Sequence, residues 1–215
     1  MKDFDLKINV LDGVYPPSED SFLLLDCIDV GPDDSVLDVG CGTGYIALNA
    51  ACVTSHVVAS DVSLEAVRNA HLNARQNDIH SCQIVQSDLL RSFNTSARFS
   101  VISFNPPYLP SDDDRSSIDH AVVGGVTGTE VLERLLSEAS VHLTPGGSVY
   151  TVVSSYLSVE KIVGVMSRYQ LRAEVLDSES FFFETIYVVR GTASRIPTET
   201  VLKQPRPEAL GPFNS

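Results

Sequence analysis

Three acidic residues and one asparagine stand where this chain can do chemistry. Asp38 precedes the turn Gly40-Cys41-Gly42-Thr43-Gly44, Asp61 closes VASD, Asp88 closes VQSD, and Asn105 opens Asn-Pro-Pro-Tyr after the apolar run VISF. Glycines after a strand permit positive φ angles and let a ligand approach the backbone. The spacing is G-x-G-x-G with an acid in front, not the dinucleotide pattern G-x-G-x-x-G. A helix N-terminus favours pyrophosphate, whereas Asp38 would repel it. The acid suits a ligand carrying positive charge, such as a sulfonium or an amino group. Asp61 can accept both hydroxyls of a ribose. Asp88 can accept from an adenine amino group, with Leu89 packed on the ring. Taken alone, Asp61 also reads as a loop acid or helix cap, and Asp88 as a strand-end turn residue. Together, at the carboxyl ends of successive strands beside one glycine turn, they point to a single ligand.

Asn105 poses a different problem. A planar amide or aromatic amine is a poor nucleophile because its nitrogen lone pair is delocalised. Two acceptors that hold its two N–H groups fix the nitrogen and favour pyramidalisation toward an electrophile. Asn105 Oδ1 and the Pro106 carbonyl supply two such acceptors, and Pro107 locks the turn. Tyr108 can stack on or flank the planar group, and Leu109 completes the candidate acceptor-binding stretch. Alignment at attack distance is then the main catalytic effect, with Asn105, Pro106 and Tyr108 as catalytic candidates. The plainer alternative is a proline-rich surface turn with an asparagine capping the strand.

These residues need a scaffold, and strand and helix patterns alternate from about residue 35, which predicts a parallel sheet covered by helices. Strands are expected at 35–39, 56–60, 82–86, 99–104, 148–155, 171–177 and 183–190. Helices are expected at 45–52, 64–76, 129–141 and 159–169, with a turn at 144–147. Leu64, Val67, Ala70 (or His71) and Ala74 form the apolar face of the second of these helices. Pro16 and Pro17 lead into a further helix with Ser18 as N-cap and Phe22, Leu23 and Leu25 in the core. Residues 1–190 read as one domain, and 191–215 as an extended Pro- and Thr-rich tail.

Composition narrows the function classes. The formal charge is −13, with 28 Asp and Glu against 15 Lys and Arg. Such a surface repels phosphate backbones and disfavours a general nucleic-acid-binding role. Its richness in Asp and poverty in Lys also suit a high-salt cytoplasm. No apolar stretch approaches the length of a membrane span, and the N-terminal residues carry no signal-peptide core. Cys27, Cys41, Cys52 and Cys82 show no zinc spacing and read as reduced thiols in a cytoplasmic protein. No metal site is expected. The run Ser111–Arg115 (SDDDR) reads as a solvated loop that could close over an acceptor.

The motif Asp38-Val-Gly40-Cys-Gly42-Thr-Gly44, with Asp61 and Ser87-Asp88-Leu89, resembles the S-adenosylmethionine site of class I methyltransferases. Asn105-Pro-Pro-Tyr108 resembles the signature of amino-methyltransferases acting on glutamine side chains, adenine N6 or guanine N2. VYPPSEDSFLL (14–24) and the 116–136 segment resemble the eukaryotic and archaeal HemK-like release-factor glutamine methyltransferases, although Val123 stands where that family commonly has tryptophan. The resemblance implies an α/β, Rossmann-like fold. It has a seven-stranded, mostly parallel sheet with helices on both faces and an antiparallel final strand. It implies cofactor contacts from Ser21, Asp38, Gly40, Gly42, Gly44, Asp61, Asp88, Leu89 and Asn105, and acceptor contacts from Asn105, Pro106, Pro107, Tyr108 and Leu109. It implies N5-methylation of the Gly-Gly-Gln glutamine of a class 1 translation release factor, with a small zinc-binding activator as second subunit. HVVAS (56–60), apolar and without Lys or Pro, is expected to be the exposed sheet edge for that partner. The separate N-terminal helical domain of the bacterial HemK-type enzymes is expected to be absent. The rival activities are nucleobase amino-methylation, which needs base flipping and phosphate neutralisation, lysine methylation, and a non-catalytic cofactor-binding subunit.

Overall fold

The structure, a computed structural model, describes residues 1–106, 129–181 and 183–194. Short β-branched runs punctuated by Gly, Asp and Ser form strands, and the longer amphipathic stretches between them form helices. In chain order these are α1 (Glu19–Cys27), β1 (Ser35–Val39), α2 (Tyr45–Ala51), β2 (His56–Asp61), α3 (Leu64–Gln76), β3 (Cys82–Gln86), β4 (Phe99–Phe104), α4 (Glu130–His142), β5 (Leu143–Ser154), α5 (Val159–Arg168), β6 (Leu171–Ser180) and β7 (Thr185–Ala193). One sheet holds all seven strands in the order β3-β2-β1-β4-β5-β7-β6. The neighbours from β3 to β5 pair in parallel, and β7 runs antiparallel to both β5 and β6. β1 is an interior strand beside the central β4, with Val36, Leu37 and Val39 almost wholly buried, as a strand covered on both faces requires. From β1 the chain winds outward to β2 and β3, then returns to β4 on the other side. The crevice at that reversal is where open α/β sheets bind ligands.

Several sequence expectations change. HVVAS is not an edge. β2 pairs with β1 through Ser35↔His56 to Val39↔Ser60 and with β3 through Val57↔Cys82 to Asp61↔Gln86, so both its backbone rows are used. The parallel-sheet edge is β3. An apolar strand without gatekeepers looks the same at an edge as in the middle of a sheet. The 144–147 turn is absorbed into β5, with a register shift between Phe99↔Leu143 and Val101↔Ser148. β6 and β7 extend to Ser180 and Ala193, so β7 passes the domain boundary expected at 190. Ser18 makes no side-chain cap bond to the backbone, and Phe22 is 45% exposed, with its ring edge-on to Tyr45.

The expected apolar face of α3 is also half polar. Leu64 is exposed, whereas Asn69 and Asn73 are fully buried beside Ala70 and Ala74. The Oδ1 atoms of Asn69, Asn73 and Asn77 accept from the backbone of Leu11 (2.7 Å), Asn9 (2.9 Å) and Lys7 (2.9 Å), respectively. Asn73 Nδ2 also donates to Thr43 O in the glycine turn (2.9 Å). Three amides at i, i+4 and i+8 thus strap the N-terminal segment along the helix and carry Gly13, Val14 and Tyr15 to the crevice.

Candidate active site

A cavity of about 530 Å³ opens at the crevice. Of the residues singled out in the sequence, Ser21, Asp38, Gly40, Gly42, Asp61, Asp88, Leu89, Asn105 and Pro106 line it. Pro107, Tyr108 and Leu109, the Ser111–Arg115 run and Val123 lie outside the described residues.

The glycine turn is built from the backbone. Gly40, Gly42 and Gly44 all have positive φ (65°, 52° and 84°). Cys41 N–H donates to Ser60 O (3.0 Å), and Gly44 N–H donates back to Cys41 O (2.7 Å). Gly44 does not face the cavity. It starts α2, and a Cβ there would stand 3.1 Å from Ala70 Cβ on α3. Gly44→Ala is therefore expected to cost about 2 kcal/mol or more, from left-handed strain plus overpacking. A denaturant midpoint unchanged from wild type would contradict this.

Asp38 is 3% exposed and accepts from Ser103 Oγ (2.8 Å) and Ala47 N–H (3.2 Å). Burial outweighs those bonds and pushes its pKa up to about 7. Asp61 accepts from Gly42 N–H (2.9 Å) and Ser63 N–H (2.9 Å), and burial raises its pKa too. Each carboxylate ties the tip of its strand to the start of the helix that follows. Two desolvated acids at one cavity favour a ligand that brings positive charge and hydroxyl donors.

Asp88 is held by two arginines, one of which, Arg134, also lines the cavity. Arg134 Nη2 lies 2.9 Å from both of its oxygens, and Arg91 Nη1 lies 2.9 Å from Oδ2. Leu89 has φ 50° and is buried, which fixes a flat apolar wall next to that carboxylate. Arg134 was not singled out in the sequence: it lies 46 residues from Asp88, and no local pattern joins them.

At the end of β4, Asn105 Nδ2 reaches Ser21 Oγ at 3.4 Å. Asn105 Oδ1 is buried and has no hydrogen-bond partner among the described residues. Behind Ser21, the buried Asp20 accepts from Ser21 N–H (2.6 Å) and Tyr15 O–H (3.1 Å). In sequence Asp20 has only the look of an acid that favours the helix dipole. Buried, it anchors the start of α1 against the strap.

Known proteins share this fold and much of this sequence. A chain from E. cuniculi, in a structure described as the Mtq2–Trm112 complex responsible for the methylation of the eRF1 translation termination factor, superposes with a TM-score of 0.68. It is 26% identical, over 85% of this chain and 99% of that one. A Methanocaldococcus jannaschii protein named as a protein N5-glutamine methyltransferase is 34% identical over 191 residues, 86% of this chain and 94% of its own. Human methyltransferase HEMK2 is 29% identical over 84% of this chain and 90% of its own. Fold and crevice together define a methyltransferase of the Rossmann-like class. The chain belongs to the methyltransferase small-domain family, whose model matches residues 6–182, and within it to the HemK-like enzymes. No helix among the described residues is long and apolar enough to cross a membrane.

Proposed function

We propose that this chain transfers a methyl group from S-adenosylmethionine to the side-chain amide nitrogen of the glutamine in the Gly-Gly-Gln loop of a class 1 translation release factor. One observation carries the reading: the buried, unpartnered Oδ1 of Asn105, a residue of the cavity wall at the end of β4. A buried acceptor without a donor costs about 1–3 kcal/mol, a cost that makes sense where a ligand brings the donor. An amide NH2 brings two N–H groups, one for Asn105 Oδ1 and one for the Pro106 carbonyl. That grip holds the nitrogen and turns its lone pair toward the cavity. The relatives named as glutamine methyltransferases support this choice of acceptor.

The residues present fit the donor. Asp61 would hold its ribose hydroxyls, Asp88 and Leu89 its adenine, and the Gly40–Gly42 backbone with Ser21 its amino-acid end. Asp38 adds negative potential from behind the turn. When bound, S-adenosylmethionine supplies a methyl group activated on a sulfonium and leaves as the neutral thioether, while the acceptor's displaced proton passes to solvent. The chain's own share is positioning and exclusion of water, which together account for much of catalysis in such transfers.

A small zinc-binding activator fits the free edge at β3, moved from the strand expected in the sequence. Val62 (67% exposed) and Leu64 (40% exposed) stand beside that edge, with Cys82 and Ile84 half-buried on it. Transfer of tritiated methyl to purified release factor, with its loop glutamine intact or replaced and with or without such a subunit, tests the reading. Label that vanishes on glutamine replacement is the expected outcome. Label that persists points to lysine or another acceptor, and label confined to added RNA or DNA refutes the protein substrate.

A further inference from the structure

A cluster of exposed aromatic side chains lies on the same sheet edge as Asn105. Phe183 is 88% exposed, Tyr156 58% and Phe181 39%. They meet where β5 ends and the β6–β7 hairpin turns: Ser155 N–H donates to Thr185 O (2.7 Å), Thr185 N–H donates to Ser155 Oγ (2.9 Å), and Phe181 N–H donates to Glu184 O (2.7 Å). Exposed aromatics grouped at a backbone junction are a mark of an interaction surface.

The surroundings say what kind of partner fits. Residues 173–189 hold four carboxylates, Glu174, Asp177, Glu179 and Glu184, and no Lys, Arg or His. Glu174 is paired with Arg190, while Asp177, Glu179 and Glu184 form no ion pair among the described residues. Glu184, whose carbonyl closes the turn with Phe181 N–H, has its Oε1 buried without a hydrogen-bond partner among the described residues. The complement of this patch is a polypeptide segment that is apolar and basic.

Its position follows from the sheet. Phe104 pairs with Thr151, so β5 projects about 10 Å beyond β4 before Ser154, taking roughly 3.3 Å per residue. β7 is two strands from β4, a further lateral offset of about 10 Å at about 4.8 Å per strand. Ile186 faces Ser154 and Phe183 lies three residues further along, so the tip stands roughly 20 Å from the end of β4, the reach of about six extended residues.

We propose that this hairpin tip, with Phe181, Phe183 and Tyr156, is a docking surface for the acceptor protein, receiving an apolar, Lys- or Arg-bearing segment about six residues from the methylated side chain. The inference rests on the glutamine-methyltransferase reading above. The dock supplies affinity for the whole acceptor without touching the donor or the reacting nitrogen.

Steady-state kinetics of Phe183→Ser and Glu179→Lys on purified release factor test it. Phe183 is too exposed for its loss to unfold the chain, and donor affinity by calorimetry verifies that the cavity is intact. The expected result for Phe183→Ser is a rise of about tenfold in KM for the factor, as for a moderate interface hot spot, with kcat and donor Kd unchanged. Glu179→Lys is expected to raise the same KM and weaken its dependence on salt. An unchanged KM overturns the dock, as does a fall in kcat at constant KM. Loss of self-association in Phe183→Ser with KM unchanged assigns the patch to a second copy and also overturns it. A wild-type chain that transfers no methyl to the factor either alone or with the activator subunit refutes the glutamine reading and this occupant together, whereas a working wild type with unaffected variants refutes the dock alone.

Discussion

Asn105→Ala should reduce methyl transfer by about two to three orders of magnitude, the range seen when one preorganised polar contact to a reacting group is removed. Donor affinity should change only a few-fold. The argument rests on the geometry at the end of β4. Oδ1 of Asn105 is buried and unpartnered, and its Nδ2 makes one long contact, 3.4 Å to Ser21 Oγ. Alanine removes an acceptor that the free protein cannot satisfy and forfeits almost no internal bonding. Stability should therefore hold or rise, by up to about 1 kcal/mol. Activity and stability are expected to move in opposite directions, which separates a functional acceptor from a strand cap. A cap would lose stability on truncation. Single-turnover rates beside denaturant midpoints decide the matter, and a stability loss with near-normal rate would refute the clamp.

The second large effect is electrostatic and concerns Asp38→Asn. In the folded chain burial raises the Asp38 pKa to about 7 from its ordinary 3.8. Between those values the folded state keeps a proton that the unfolded state has lost. Stability therefore falls as pH rises from about 4 to 7 and levels off above it, by on the order of 4 kcal/mol at about 1.4 per pH unit. Asparagine is nearly isosteric and can still serve both Ser103 Oγ and Ala47 N–H, so the variant should fold and its stability should vary less with pH across this window. Binding of a cationic donor works against the same proton. Donor affinity in the wild type should rise with pH up to about 7, and in Asp38→Asn it should be weaker and flatter. Unfolding curves at pH 5 and pH 8, paired with calorimetric titration of the donor, measure both. Parallel pH profiles for wild type and variant would exclude Asp38 as the source.

The elements that place these two residues were legible in the sequence because their signals are local. The alternation of β-branched runs with amphipathic stretches predicts the strand–helix order, and α3 spans Leu64–Gln76 as expected. The glycine turn is readable because left-handed φ angles at Gly40, Gly42 and Gly44 demand that residue type. Asn105-Pro106 is readable because prolines after a buried strand ask for a reason. By contrast, Asn69, Asn73 and Asn77 at four-residue spacing look like a solvated helix face. They are a clamp only because the segment 7–11 lies across them.

The sequence by itself determined the fold class and the carboxyl-end positions of Asp38, Asp61, Asp88 and Asn105. Each follows from a residue's own conformational limits or from a period of two to four residues. Only the tertiary structure decided that β2 is an interior strand and β3 the free edge, because strand order is settled by which buried faces the crossover helices can cover. Only it revealed that Arg134 grips Asp88 across 46 residues, that Asp20 is buried, and that the hairpin tip shares an edge with Asn105. Those pairings join residues far apart in the chain, and no local pattern encodes a distance that the sheet alone brings to contact.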